Sequence, residues 1–303
     1  MARRTDNAYR DVFSTCHPVI NFVYFAAVLL CGMFFLHPVF LGISLVCSVS
    51  YAILLKGRRT AKFYLWGMLP SILLMALINP AFNHQGVTIL LYVNDNPLTW
   101  ESIAFGLAAA VMLFSVASWF SCYNVVMTSD KFLYLFGRVI PALSLVLSMA
   151  LRFVPRFQAQ ARIISNGQKC VGRDASNGNL LQKLRNGLTI LSILVTWALE
   201  NAIETSDSMR ARGFGLKGRT SFSLYRFDSR DRCVLGVLLA LLAVVLLGAA
   251  TGQNDIVYFP RIVVPPVTWW SVLVYLAYGA LCLLPLMMEG WEAYKWRRLS
   301  CRI

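Results

Sequence analysis

Charge is scarce in this sequence. Of 303 residues, 14% are Asp, Glu, Lys or Arg, 58% are hydrophobic, and mean hydropathy is +0.61. A soluble globular chain carries ~25% charged residues, so the composition argues against a soluble enzyme and equally against a disordered or fibrous chain. Acidic side chains are the scarcest: 14 Asp and Glu face 28 Lys and Arg, a net +14. The eight cysteines include no C-x-x-C pair, and the three histidines (His17, His37, His84) are isolated. That excludes the usual thiolate metal and redox motifs and leaves reduced, structural thiols as the expectation. No Ser/His/Asp set or carboxylate pair is present to support catalysis.

What the sequence has is long apolar runs. A helix needs about 20 apolar residues to cross ~30 Å of hydrocarbon. Six stretches meet or approach this: Pro18–Leu36, Val39–Leu55, Phe63–Ile78, Ser102–Met127, Cys233–Thr251 and Val267–Met288. None contains Asp, Glu, Lys or Arg, the third is short at 16 residues, and only His37 and Pro38 separate the first two. The basic start followed by a long apolar run without a small-residue cleavage site reads as a retained first span. Trp100, Trp269, Trp270, Trp291 and Trp296 near span ends suit an interfacial belt.

The basic residues set the orientation. With the N-terminus in the cytoplasm, the external loops are residues 37–38, 79–101 and 252–266. They contain one basic residue, Arg261, so 27 of the 28 Lys and Arg fall inside. Lys and Arg resist translocation. Both termini are therefore expected in the cytoplasm.

Residues 128–232 read differently. They hold 16 Lys and Arg against 7 Asp and Glu, a net +9. Their two apolar runs, Val139–Leu151 and Leu188–Leu199, are too short for ordinary spans. Spanning would also place Arg152, Arg156, Arg162, Lys169, Arg173, Lys183 and Arg185 outside, against the pattern of the rest. The expectation is a cytoplasmic module of helices tucked against the inner face. Pro141 and Pro155 divide the first part into a short helix and a longer, kinked one reaching about Val171. Gly172–Gly187 reads as a loop, and a second long helix runs from about Leu188 to Arg212, ending at Gly213. Small residues four apart, Ser144 with Ser148 and Ser192 with Thr196, allow close crossing; ordinary spacing is the alternative. Arg152, Arg156 and Arg162 on the first helix could brace Glu200, Glu204 and Asp207 on the second, or all could be solvated.

The run Gly213-Phe214-Gly215-Leu216-Lys217-Gly218 fits G-x-G-x-x-G, but a helix precedes it and a polar loop follows, the wrong context for a nucleotide. With no acidic or basic residue in the six runs, the proton and ion relays of coupled carriers have no counterpart here. Energy has to come through the module from a partner.

Three stretches carry a resemblance. Residues 79–88 (Asn-Pro-Ala-Phe-Asn-His-Gln-Gly-Val-Thr) with Glu101-Ser102, residues 151–157 (Leu-Arg-Phe-Val-Pro-Arg-Phe) and residues 208–214 (Ser-Met-Arg-Ala-Arg-Gly-Phe) resemble the transmembrane (T) component of energy-coupling factor (ECF) transporters, the vitamin-uptake branch of the ABC transporters. The resemblance covers residues 79–231 well and the flanking spans more loosely. It implies a bacterial plasma-membrane protein between two cytosolic ABC-type ATPases and an exchangeable membrane-embedded substrate-binding (S) component that holds a vitamin. It implies two long crossed coupling helices, each ending in an arginine motif docked on one ATPase. Ala211, Arg212 and Gly213 match the second motif. At the first, residues 168–174 depart from Ala-Arg-Gly, with Gly172 and Arg173 in reversed order; Arg173 takes the role there. Leu191, Leu194, Ser144 and Ser148 are expected to face the S component. No cofactor is implied for this chain, since ATP and Mg²⁺ sit in the ATPases, and no nucleic acid.

The sequence thus predicts an all-α polytopic helical membrane protein with about six transmembrane helices and a cytoplasmic coupling-helix module. Its parts are an N-terminal membrane domain (1–127, four spans), the coupling module (128–232) and a C-terminal hairpin of two spans with a basic tail (233–303). The predicted role is a non-catalytic coupling subunit of a vitamin importer in the lipid bilayer; a self-contained channel or carrier binding its own substrate is the alternative.

Overall fold

The computed structural model describes residues 12–83, 85–93, 96–137, 140–173, 179–216 and 225–300. The chain forms two compact units, Met1–Phe132 with Tyr225–Ile303, and Leu133–Leu224. The fold is all-α, with one small hairpin among the described residues.

The first unit holds α1 (Pro18–Phe34), α2 (Pro38–Lys56), α3 (Arg58–Phe82), the strands β1 (Ile89–Val93) and β2 (Asn96–Thr99), and α4 (Trp100–Val126). After the second unit the chain returns with α8 (Ser229–Ala250) and α9 (Trp269–Ser300). A short helix, α5 (Ser129–Gly137), crosses the division. The second unit contains α6 (Pro141–Cys170) and α7 (Leu180–Ala211).

By length and composition α2, α4, α7, α8 and α9 can each cross a membrane, and α1 is apolar over its 17 residues. This is an all-α polytopic membrane protein. Boundaries differ from the sequence reading where apolarity and helicity part company. α3 is 25 residues long because its helix begins at Arg58, before the apolar run, and continues through Pro80. α9 continues past its apolar run to Ser300, because nothing in the basic tail breaks a helix. α7 begins at Leu180, capped by Asn179 and Gln182 in a reciprocal box, so Gly187 lies inside the helix and the connector is eight residues shorter at its C-terminal end than the glycines suggested.

The same device starts two helices. His17-Pro18-Val19 and His37-Pro38-Val39 each place proline at the first helical position, and each imidazole Nδ1 accepts from the valine N–H at 3.3 Å. Burial holds His37 below the usual imidazole range, which keeps the ring neutral and its nitrogen able to accept.

The core lies where α1, α2, α4, α8 and α9 meet. Trp119 is fully buried, edge-on to Tyr24 and Phe25, and its indole N–H donates to Ser44 Oγ at 3.0 Å. Ser44 Oγ is 2.7 Å from Ser115 Oγ, and Tyr24 donates to the Cys282 carbonyl at 3.1 Å. These internal partners replace water for polar groups at bilayer depth.

The ends of the unit are tied by polar groups. At the end bearing the basic residues, the turn Phe13–Thr15 is held from several helices. Lys131 Nζ donates to the carbonyls of Ser14 (2.5 Å) and Val126 (2.9 Å), and the Asn21 amide oxygen lies 3.1 Å away once that amide is oriented by its neighbours. Glu289 accepts from Val12 N–H at 3.1 Å, and Asp231 from His17 N–H at 3.4 Å. At the other end, Glu101 is buried and accepts from the Thr88 hydroxyl (2.5 Å) and Thr88 N–H (3.3 Å). Asn79 donates to the Ser102 carbonyl at 2.8 Å and Ser102 to the Asn83 carbonyl at 2.5 Å.

At Gly248, α8 lies tightly against α9: an added Cβ would lie 2.6 Å from Val274 Cγ1. Gly248→Ala is therefore expected to destabilise the unit by about 1–3 kcal/mol, the usual cost of overpacking, and adding Val274→Ala should restore most of it. Thermal unfolding in detergent, followed by size-exclusion chromatography, measures both; a neutral single variant would contradict this packing.

Candidate functional site

The sequence-predicted residues concentrate in the second unit, at the C-termini of α6 and α7. Both helices stop in the same way. α6 is capped by Val171 and followed by Gly172 at φ +77°; α7 is capped by Arg212 and followed by Gly213 at φ +80°. At α6, Gly172 N–H reaches the Lys169 carbonyl (3.0 Å) and Arg173 N–H the Gln168 carbonyl (2.9 Å). At α7, Gly213 N–H reaches Arg210 (3.0 Å) and Phe214 N–H reaches Met209 (3.0 Å). These are two Schellman turns, and the left-handed residue each requires explains the glycines.

Superposing the motifs by their glycines clarifies the reversed order at residues 172–173. Arg212 occupies the cap position, whose α6 counterpart is Val171. Arg173 occupies the second residue beyond the cap, whose α7 counterpart is Phe214. The two arginines thus hold different backbone positions on otherwise matched ends. Lys169 and Arg210 do correspond, one turn before each glycine. Ala211, Arg212, Gly172 and Arg173 are all exposed, and Gly213 is half-buried beneath Leu216.

The helices meet at the middle. Phe157 packs edge-on to Trp197 at 5.7 Å, and the Arg156 guanidinium stands over the same indole at 5.4 Å. This cation–π contact takes the place of the ionic bracing considered for Arg156; no ion pair joins the basic set of α6 to Glu200, Glu204 or Asp207 among the described residues. From this contact, Gly172 lies 15 residues on and Gly213 lies 16. At 1.5 Å per residue each glycine is ~22–24 Å out along its own arm. The connector from Cys170 to Leu180 can span at most ~35 Å, which keeps α6 and α7 from running parallel and holds the two glycines roughly 30 Å apart or more. One small partner site cannot grip both.

Leu191 is 53% exposed and Leu194 half-buried on α7, while Ser148 is exposed on α6. The side chain of Ser144 lies outside the described residues. Thr196 spends its hydroxyl on the Ser192 carbonyl of its own helix at 3.1 Å, so that pair serves α7 internally. No α7 side chain is buried. In the G-x-G-x-x-G run, Gly213 and Gly215 both have positive φ in the turn after a helix, and Lys217 onward lies outside the described residues.

Two polar clusters escaped the sequence reading: Lys131 with the Phe13–Thr15 turn, and Glu101 with residues 79–88. The first left a trace as an isolated Lys beside an apolar run. The second coincides with the external-loop motif, whose residues prove to be hydrogen-bonded to one another across up to 23 positions of sequence.

An all-α membrane bundle with an exposed, crossed helix pair is the class of protein these features define. No model of a protein family matches the chain. Curated relatives do. It is 36% identical over 106 residues to "Energy-coupling factor transporter transmembrane protein EcfT" of Lacticaseibacillus paracasei, a match covering 35% of this chain and 40% of that protein. Longer matches reach proteins of the same name from Listeria innocua, at 29% identity over 70% of this chain and 86% of the relative, and Bacillus selenitireducens, at 28% over 65% and 79%. The matched part spans about two fifths of the Lacticaseibacillus protein. These relatives carry the name of the family that the motifs at residues 79–88, 151–157 and 208–214 resemble.

Proposed function

We propose that this chain is the transmembrane coupling subunit of an ECF-type micronutrient importer, non-catalytic itself, which passes ATP-driven motion of two cytosolic ATPases to a membrane-embedded S component. The observation that carries the reading is the pair of exposed, Schellman-terminated arms roughly 30 Å apart, each bearing arginine at its tip. Two separated cationic tips suit two partners rather than one. ATP and Mg²⁺ belong to those partners.

In this reading Arg212 leaves α7 at the cap and offers its planar fork to a carboxylate on one ATPase, a geometry lysine lacks. Gly213 keeps the backbone beside it open to the partner surface. Arg173 performs the same task from one residue beyond Gly172, so the α6 tip meets its ATPase in a different register. The exposed apolar side chains of α7 form the face toward the S component, since an apolar patch of this extent marks an interaction site. The N- and C-termini lie in the cytoplasm, supported by the 27-to-1 distribution of basic residues. Although α7 is long and apolar enough to span, placing it across the bilayer would translocate the basic residues between the two apolar runs.

Three measurements test this. Arg212→Ala should weaken ATPase docking by at least tens-fold, since an interface anchor is worth ~2 kcal/mol or more and 1.4 kcal/mol is tenfold, and Arg212→Lys should also be impaired. Co-purification of the ATPases and vitamin uptake in cells read this out; normal assembly and uptake with Arg212→Glu would refute the role. Leu191→Asp should reduce recovery of the S component while both ATPases remain bound, and unchanged recovery would move the S-facing surface elsewhere. In a cysteine-free background, Gln182→Cys should react with a membrane-impermeant maleimide only after permeabilisation, and Gln253→Cys in intact cells; the opposite pattern would invert the topology.

A further inference from the structure

The first unit has a groove that the coupling role leaves unused. It is a cavity of about 710 Å³ between α8, α9 and Val12, whose carbonyl accepts from Arg230 Nη2 at 3.5 Å, and it falls within the ~300–1,000 Å³ of small-molecule sites. Its wall on α8 is formed by residues 230, 233, 234, 237 and 241, spaced as one helical face. Its wall on α9 is formed by residues 280, 284, 287, 288, 291, 292 and 295, again one face.

Charge is confined to one end. Arg230 and Lys295 stand at the mouth together with one acid, Glu292, and no ion pair joins them among the described residues. Trp291 is 74% exposed at the same level, the position of an interfacial anchor. Arg297 and Arg298 follow on the last turn of α9. Inward from the mouth the lining is wholly apolar: Val237, Leu241, Ala280 and Leu284, with Met287 and Met288 as adaptable side chains. From Lys295 to Ala280 the groove runs ~22 Å along α9, more than the ~15 Å of one leaflet's hydrocarbon. It thus extends from the headgroup level to the middle of the bilayer.

We propose that this groove is a specific site for an anionic glycerophospholipid, with the headgroup phosphate between Arg230 and Lys295 and one acyl chain laid against Val237, Leu241 and Leu284. The assignment to lipid rests on the join of a dry apolar slot to a cationic mouth at headgroup depth. A soluble phosphate compound matches only the mouth, and a zwitterionic lipid matches only the slot. Basic pockets between transmembrane helices select anionic headgroups by this combination. The site depends on the end of the bundle at which the charges lie, and not on ATPase docking.

The test uses the full chain, purified in mild detergent with whatever subunits accompany it, and native mass spectrometry with dioleoylphosphatidylglycerol and dioleoylphosphatidylcholine supplied in equal amounts. Phosphatidylglycerol should be retained in preference, and excess inorganic phosphate should not displace it. Arg230→Gln with Lys295→Gln should reduce its retention by about thirty-fold, from the ~1 kcal/mol each basic residue contributes near an anionic headgroup. The charge-preserving pair Arg230→Lys with Lys295→Arg should keep it. Val237→Trp, which fills the slot without changing charge, should lower retention of phosphatidylglycerol while the protein elutes normally on size exclusion. Equal retention of both lipids, or retention indifferent to the Gln pair in normally eluting protein, overturns the proposal. So does retention gained only on deleting residues 1–11, which would assign the groove to the chain's own basic N-terminus.

Discussion

Removing a charge from water without a partner costs several kcal/mol, and most of this molecule is arranged around avoiding that. The six apolar runs carry no Asp, Glu, Lys, Arg or His, so charge collects at their ends. Several charges that do enter the protein are met by backbone groups. Lys131 is buried against backbone carbonyls, and Asp231 and Glu289 accept backbone N–H groups of residues 12–17. These three contacts draw α5, α8 and α9 onto residues 12–17, so the same constraint that excludes charge from the bilayer interior also closes that end of the bundle.

The constraint acts differently on the second unit. Its helices are apolar in the middle and basic toward their tips, and no side chain of α7 is buried. Such a helix cannot satisfy its apolar surface alone. Exposed leucines along α7 and basic residues toward its ends put apolar and cationic surface on one element. The difference between the tips is informative. Matched Schellman turns hold Arg212 at the cap and Arg173 beyond it. The two ends present the same backbone and a guanidinium in a different place.

Polar groups inside the first unit follow the rule in miniature. Ser44, Ser115 and Trp119 form one hydrogen-bonded set at bilayer depth, and Tyr24 reaches a carbonyl on α9. None is ionisable at neutral pH in the manner of a proton relay. They fix how helices pack, as Gly248 does by letting Val274 approach.

The sequence by itself determined the class of protein, because apolar run length and the absence of charge are read one residue at a time and need no partner. It also located both helix-ending glycines, since a left-handed residue after a basic turn is a local signal. Helix limits were less legible. Asn179 with Gln182 starts α7 ahead of its apolar run, and the basic tail of α9 stays helical, because hydrogen bonding and capping extend helices beyond the residues that bury. Only the tertiary structure decided the rest. Glu101 meets Thr88, Lys131 meets Ser14, and Arg230 and Lys295 line one groove, pairs separated by 13, 117 and 65 positions of sequence. The physical reason is that a buried polar atom takes whichever partner the packed helices bring near, and helix packing is a property of whole surfaces that no local pattern encodes.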